Sequence, residues 1–206
     1  MPVAQRDSAF LNIPYDRGYE DRFLAYIAGL TAFGLYPRVT LELTGADRRL
    51  DRIFALISAC RYSFHDLSLV RLDRRPPPTP RFNMPFELGL VAGWQKAAPS
   101  GHVWFVFESS SYRLQKSLSD LNGTDPFVYG ERTEGILREI RNALVRRTNQ
   151  PTVRQMQSIF ESLRADVPRI KKNAAARSLF GAGPFAELVV VARRHAELDI
   201  PWLKDS

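Results

Sequence analysis

The chain has one cysteine, Cys60, and three histidines among its 206 residues. A single thiol excludes an internal disulfide framework and a zinc site built on several cysteines, and it fits a reducing compartment. Long apolar runs are missing as well. The longest uncharged stretch is AYIAGLTAFGLYP, and the apolar segment from Asn83 to Trp94 is broken by an acid; neither is long enough to cross a bilayer. No basic, apolar leader opens the sequence, so the expectation is a cytoplasmic protein without membrane contact. Charge of one sign is not concentrated. The net charge is +7 and the isoelectric point about 9.8, yet arginine and lysine are spread over the whole length, with no dense basic tract and no interleaved aromatic platform. Nucleic acid is thereby disfavoured as a partner.

What is present is 45% hydrophobic side chains, enough for one good core. SAFLNI predicts a strand, and Tyr19, Phe23, Tyr26, Ile27 and Leu30 follow at helical spacing. RVTLELT alternates, with Val39, Leu41 and Leu43 on one face, and predicts a half-buried edge strand. Leu50, Ile53, Phe54 and Ile57 mark a second helix, and RYSFHDLS a third strand. The loop RLDRRPPPTPR is expected to be irregular because of its prolines. HVWFVFE, the most continuous apolar run, reads as a central strand. A helix around Leu114, Leu118 and Leu121, a short strand in PFVYG and a helix with Ile136, Leu137, Ile140 and Leu144 inward complete the alternation. Strands alternating with helices predict an α/β, doubly wound, mostly parallel five-stranded sheet of flavodoxin-like order 2-1-3-4-5 over residues 1–150. Residues 151–206 predict helices only, a C-terminal helical extension.

In such a sheet, ligands bind beyond the carboxyl ends of the strands, where strand order reverses. Asn12, Tyr15, Asp16 and Arg17 follow the first strand, and His65, Asp66 and Ser68 end the third. Both groups are expected to rim one crevice. Arg71, Arg74, Arg75 and Arg81 pass the same opening before Asn83 and Glu87 begin the next helix. Each has an ordinary reading too: the strand-one residues as a turn, Asp66 as a turn cap, His65 as a structural hydrogen-bonder, and the arginines as a solvated loop.

Glu87 is the acid inside the apolar segment. At 100° per residue it lies beside Leu90, Val91 and Trp94, so it faces apolar company and is expected to be partly desolvated, with a raised pKa. Gly89 and Gly93 form a separate smooth stripe, suited to packing on the sheet. As a first-turn residue after Pro85, Glu87 is also explained by the helix dipole, which stabilises such a carboxylate by roughly 0.3–1 kcal/mol. Residue chemistry leaves both readings open.

The segments FLNIPYD, SACRYSFHDLS and PRFNMPFELG resemble the nucleoside 2-deoxyribosyltransferase-like fold and TIR domains that cleave NAD, and are similar to a bacterial family of TIR-like, nucleotide-binding proteins. The resemblance spans residues 9 to about 130. It implies Glu87 as catalytic carboxylate, Asp66 as the aspartate after strand three, and Tyr15 and Asp16 as pocket residues; the crevice reading adds His65 as a catalytic acid candidate beside Asp66 and Asn12, Ser68, Arg81 and Asn83 as substrate-binding candidates. The Asp-x-Gly-Thr segment usual in the deoxyribosyltransferases is replaced here by Arg81 to Pro85. The implied activity is nucleotide N-glycoside cleavage, with NAD as substrate rather than cofactor and no metal, as in an antiviral defence effector. The alternatives are a nucleoside deoxyribosyltransferase or hydrolase, and a non-catalytic nucleotide-binding module. A homo-oligomer or a partner protein engaged through the helical tail is the implied assembly.

Overall fold

Parallel strands need crossover helices, and the alternation in this chain supplies them. The structure, a computed structural model, describes residues 8–42, 48–69, 72–73, 76–80, 82–97, 101–121 and 123–204, with the backbone alone for 72, 73, 79 and 80. In chain order the elements are β1 (Ser8–Asn12), α1 (Glu20–Ala32), β2 (Tyr36–Arg38), α2 (Arg49–Ala59), β3 (Tyr62–Asp66), β4 (Leu72–Asp73), β5 (Thr79–Pro80) and α3 (Asn83–Ala97). They continue with β6 (Val103–Glu108), α4 (Arg113–Ser117), β7 (Phe127–Val128), α5 (Thr133–Ala143), α6 (Val153–Asn173) and α7 (Ala182–Asp199). One five-stranded sheet runs β2-β1-β3-β6-β7 with every pairing parallel, which is order 2-1-3-4-5 along its own strands. The expected doubly wound α/β fold is therefore present.

Alternate residues of a strand point to opposite faces, and here they feed different helices. Ala9, Leu11, Phe64 and Phe107 pack with α1, α5, α6 and α7 in one cluster. Phe10 packs with Ile53, Leu56 and Ile57 of α2 and Val91 of α3, while Val106 joins Met84 and Leu88 of α3 and Leu114 of α4. Every residue of α1 from Phe23 to Ala32 is buried, because α5, α6 and α7 cover the side that the sheet leaves free. The extension is tied to α1 by charge as well. Lys171 Nζ reaches Glu20 Oε2 at 2.7 Å, and the Leu179 amide donates to Glu20 Oε1 at 2.9 Å.

Glu87 is the fifth residue of α3 rather than a first-turn acid after Pro85, so the helix-dipole explanation does not apply, because the effect falls off within the first turn. Three further local expectations change. The second strand lies earlier than RVTLELT, at Tyr36–Arg38: pairing with β1 stops at Arg38, and Thr40–Glu42 forms a 3-10 turn. Glu42 folds back so that Oε1 accepts from the Val39 amide at 2.6 Å and Oε2 from Arg38 Nε at 2.7 Å, which takes the place of ladder bonds. Leu43 lies outside the described residues. The proline-rich loop contains a ribbon, β4 paired antiparallel with β5. A two-stranded ribbon is all edge, so Pro80 is tolerated without an amide to donate. Arg71, Arg74, Arg75 and Arg81 lie outside the described residues. Lastly, Gly89 and Gly93 are exposed and a Cβ on either would touch nothing within 4 Å; the glycine stripe faces outward and α3 packs through Leu88 and Val91 instead.

A third glycine has a structural duty. A Cβ on Gly135, in the first turn of α5, would sit 1.9 Å from the carbonyl oxygen of Tyr129. Gly135→Ala is expected to push α5 off the end of β7 and lower stability by about 3 kcal/mol, read as a reduced urea midpoint.

Candidate functional site

The carboxyl ends of β1 and β3 lie side by side, with Asn12 opposite His65 in register. Asn12 Nδ2 donates to His65 Nδ1 at 2.9 Å and to the Met84 carbonyl at 3.3 Å, binding the two strands to the start of α3. With Nδ1 accepting, His65 Nε2 donates to Ser63 Oγ at 2.9 Å. Ser63 then donates to His102 Nε2 at 2.9 Å, and His102 Nδ1 to the Cys60 carbonyl at 2.7 Å. The chain of bonds runs under α2 and α3. Burial, aided by neighbouring His102, pushes the His65 pKa down to about 3, so the ring is neutral and structural in its bonding. It is fully buried.

Asp66 follows His65 directly and so points through the sheet to the other side. There the hydroxyls of Tyr19 and Tyr26 donate to Oδ2, the latter at 2.7 Å. The Ser68 amide donates to Oδ1 at 2.9 Å, with the Tyr129 hydroxyl at a longer 3.5 Å. Asp66 is fully buried, a carboxylate caged by α1 and the loops after β3 and β7. Burial first, and the charge of Asp66 second, raise the pKa of both Tyr19 and Tyr26 well above the ordinary phenol value. Ser68 serves this cage through its amide, and its carbonyl accepts from Arg113 Nη1 at 2.8 Å. Residues adjacent in sequence are thus divided between the two faces of the sheet, His65 toward α2 and α3 and Asp66 toward α1.

Glu87 lies where α2, α3 and the β1 loop meet. Its side chain is 3% exposed, and Arg49 Nη2, from the first residue of α2, approaches Oε1 at 3.1 Å. Leu90, Val91 and Trp94, the neighbours expected from helical spacing, pack with Phe10 and α2 below it. Desolvation raises the Glu87 pKa, and the Arg49 hydrogen bond and charge oppose the rise. Tyr15 stands nearby with its hydroxyl 3.0 Å from Thr40 Oγ1. Its pKa is pushed up to about 12 by burial above all; the charge of Glu87 adds to this, and Thr40 and Arg49 work against it. Phe180, between α6 and α7, packs its ring on Tyr15 with centroids 5.5 Å apart, so the C-terminal helices buttress the site. Asp16 is exposed and accepts from the Gly18 amide at 2.9 Å as a turn cap. Asn83 is exposed at the start of α3.

Arg49, Thr40 and Phe180 were not legible as site residues, since nothing in their local pattern sets them apart. Glu108 was more accessible: it is the acid that ends the most apolar strand. It is 1% exposed, its Oε2 accepts no hydrogen bond, and Arg113 Nη1 lies 3.6 Å away. Asn12 Oδ1 is a second buried polar atom without a partner at the same edge of the sheet. Burial pushes the Glu108 pKa up to about 7, with Arg113 opposing and Asp66 contributing. A folded-state value above the ordinary 4.5 means that stability is full below about pH 4.5 and declines as pH rises through 7. Glu108→Gln, neutral at every pH, is expected to match the wild type near pH 4.5 and exceed it at pH 8 by on the order of 2 kcal/mol, as measured by urea denaturation.

Fold and site together define a doubly wound α/β protein with buried acids at the carboxyl edge of its sheet. Among the described residues no helix is long and apolar enough to cross a membrane, and no group of three or more His, Cys, Asp or Glu is placed to hold a metal. Searches against protein families, curated proteins and solved structures find no match for this chain.

Proposed function

We propose that the chain is a nucleotide N-glycosidase acting on NAD, with Glu87 as its catalytic carboxylate. One observation carries the reading: Glu87 is a desolvated acid at the strand-order switch, opposed by the single cation Arg49 among the described residues and flanked by Tyr15. A carboxylate in such surroundings stabilises a developing oxocarbenium ion at C1′ far better than it would in water.

The substrate follows from protons. A purine or pyrimidine leaving a ribose needs an acid, and both acids expected from sequence, His65 and Asp66, are enclosed by protein donors and acceptors. Nicotinamide needs none. When the C1′–N bond of NAD breaks, the electron pair goes to the pyridinium nitrogen and cancels its charge. Water adds at C1′ and its extra proton passes to solvent, leaving ADP-ribose and nicotinamide.

The test is incubation of the protein with NAD, NADP, nucleosides and nucleotides in one pool, with products read by mass spectrometry for wild type and Glu87→Gln. Nicotinamide released by the wild type alone supports the proposal. Absence of any product from the pool defeats it, and saturable NAD binding with the ligand recovered unchanged would make the chain a binding module instead.

A further inference from the structure

Glu108 belongs to a cavity of its own. The space, about 270 Å³, is lined by Leu67, Pro85, Glu108, Arg113, Lys116 and Ser117, between the ends of β3 and β6 and the helix α4. Its parts differ in chemistry. Leu67 is buried just past β3, and Pro85 in the first turn of α3 is half-buried; together they make an apolar wall. Glu108 is the buried acid, with an oxygen that accepts no hydrogen bond. Arg113 and Lys116 bring two cations, one half-buried and one exposed. The guanidinium is held in place by the Ser68 carbonyl and by Glu108 itself. Ser117 Oγ is bonded to the Arg113 carbonyl at 2.9 Å and serves the helix.

We infer that this cavity is a second ligand site, which takes a small molecule bearing both a hydroxyl and a phosphate, a pentose phosphate in size and chemistry. The buried carboxyl demands a hydrogen-bonding partner, since an unsatisfied buried oxygen is unfavourable, and a sugar hydroxyl supplies it in either protonation state. The exposed Lys116 ammonium, beside the positive charge of the already anchored Arg113, matches a phosphate as a point charge. An acid beside a phosphate would normally repel it. Here burial raises the Glu108 pKa to about 7 and so lessens that repulsion at neutral pH. Size decides against a whole dinucleotide, because pockets for drug-sized ligands run from about 300 to 1,000 Å³. The cavity is described by residues distinct from Glu87, Arg49 and Tyr15, and the inference stands without the proposed glycosidase activity.

The experiment is isothermal calorimetry of the full chain with ribose 5-phosphate, ribose and inorganic phosphate. Ribose 5-phosphate is expected to bind saturably and at least tenfold more tightly than either fragment. Lys116→Glu is expected to weaken it by tenfold or more. Glu108→Leu, which removes both hydrogen-bonding oxygens, is expected to weaken ribose 5-phosphate by tenfold or more while not weakening inorganic phosphate. Glu87→Gln should bind as the wild type does, which separates this site from the proposed catalytic one. No saturable binding of ribose 5-phosphate, or equal binding by the wild type and Glu108→Leu, would overturn the assignment. Inorganic phosphate binding as tightly as the sugar phosphate would also overturn it, reducing the cavity to a simple anion site.

Discussion

Glu87→Gln is expected to lower nicotinamide release from NAD by about 10²–10³-fold, the loss typical when one electrostatic stabiliser of a transition state is removed. The substitution is nearly isosteric, and the amide oxygen can still accept from Arg49 Nη2, now 3.1 Å from Oε1. Under the proposed chemistry, what disappears is the negative charge that would face C1′ as the bond to nicotinamide stretches. Stability should move the other way. The carboxylate is held on the apolar side of α3 against a desolvation that raises its pKa, and glutamine does not carry that charge. A folded, equally or more stable variant with activity lost is therefore the expected pair of results, measured by product formation and urea denaturation. An inactive variant that has also lost stability would point to a structural carboxylate, and an active one would remove Glu87 from the chemistry.

Asp66→Ala is expected to be the most damaging single change to the fold. The carboxylate accepts from Tyr19, Tyr26 and the Ser68 amide, with Tyr129 at longer range, and all of it is sealed from solvent. Alanine would leave several buried donors without an acceptor, at about 1–3 kcal/mol each. A loss of at least about 4 kcal/mol follows, which for a chain of this length lowers Tm by roughly 10 °C. Asp66→Asn should lose less, since its amide oxygen still accepts while its NH2 group meets donors. The cage also has a signature at high pH. Tyr19 and Tyr26 have folded-state pKa values raised above the unfolded value, so their contribution is full below about pH 10 and lost as pH rises beyond it. Each should steepen the decline by about 1.4 kcal/mol per pH unit, and Tyr26→Phe should make it shallower by that amount.

Much of the fold was legible. The strand and helix periods of SAFLNI, RYSFHDLS and HVWFVFE, with the helices between them, were enough for the sheet and its order. The face of Glu87 was legible too, because helical spacing fixes which neighbours share its side. RVTLELT misled because its alternation is also compatible with a turn closed by the Glu42 carboxylate. The site was only partly readable. His65 and Asp66 looked like one constellation because they are adjacent, and adjacency in a strand is what sends them to opposite faces. Arg49 is 38 residues from Glu87 and Phe180 still further from Tyr15, and neither sits in a pattern that announces a partner.

The sequence by itself determined the element order, the parallel sheet and the inward face of Glu87, since hydrophobic period and chain connectivity are local properties. Tertiary structure alone decided what meets each polar group. It gave Asp66 its tyrosines, His65 its chain to Cys60, Glu87 its arginine and Glu108 its cavity, because a side chain's charge and chemistry answer to contacts that period does not encode.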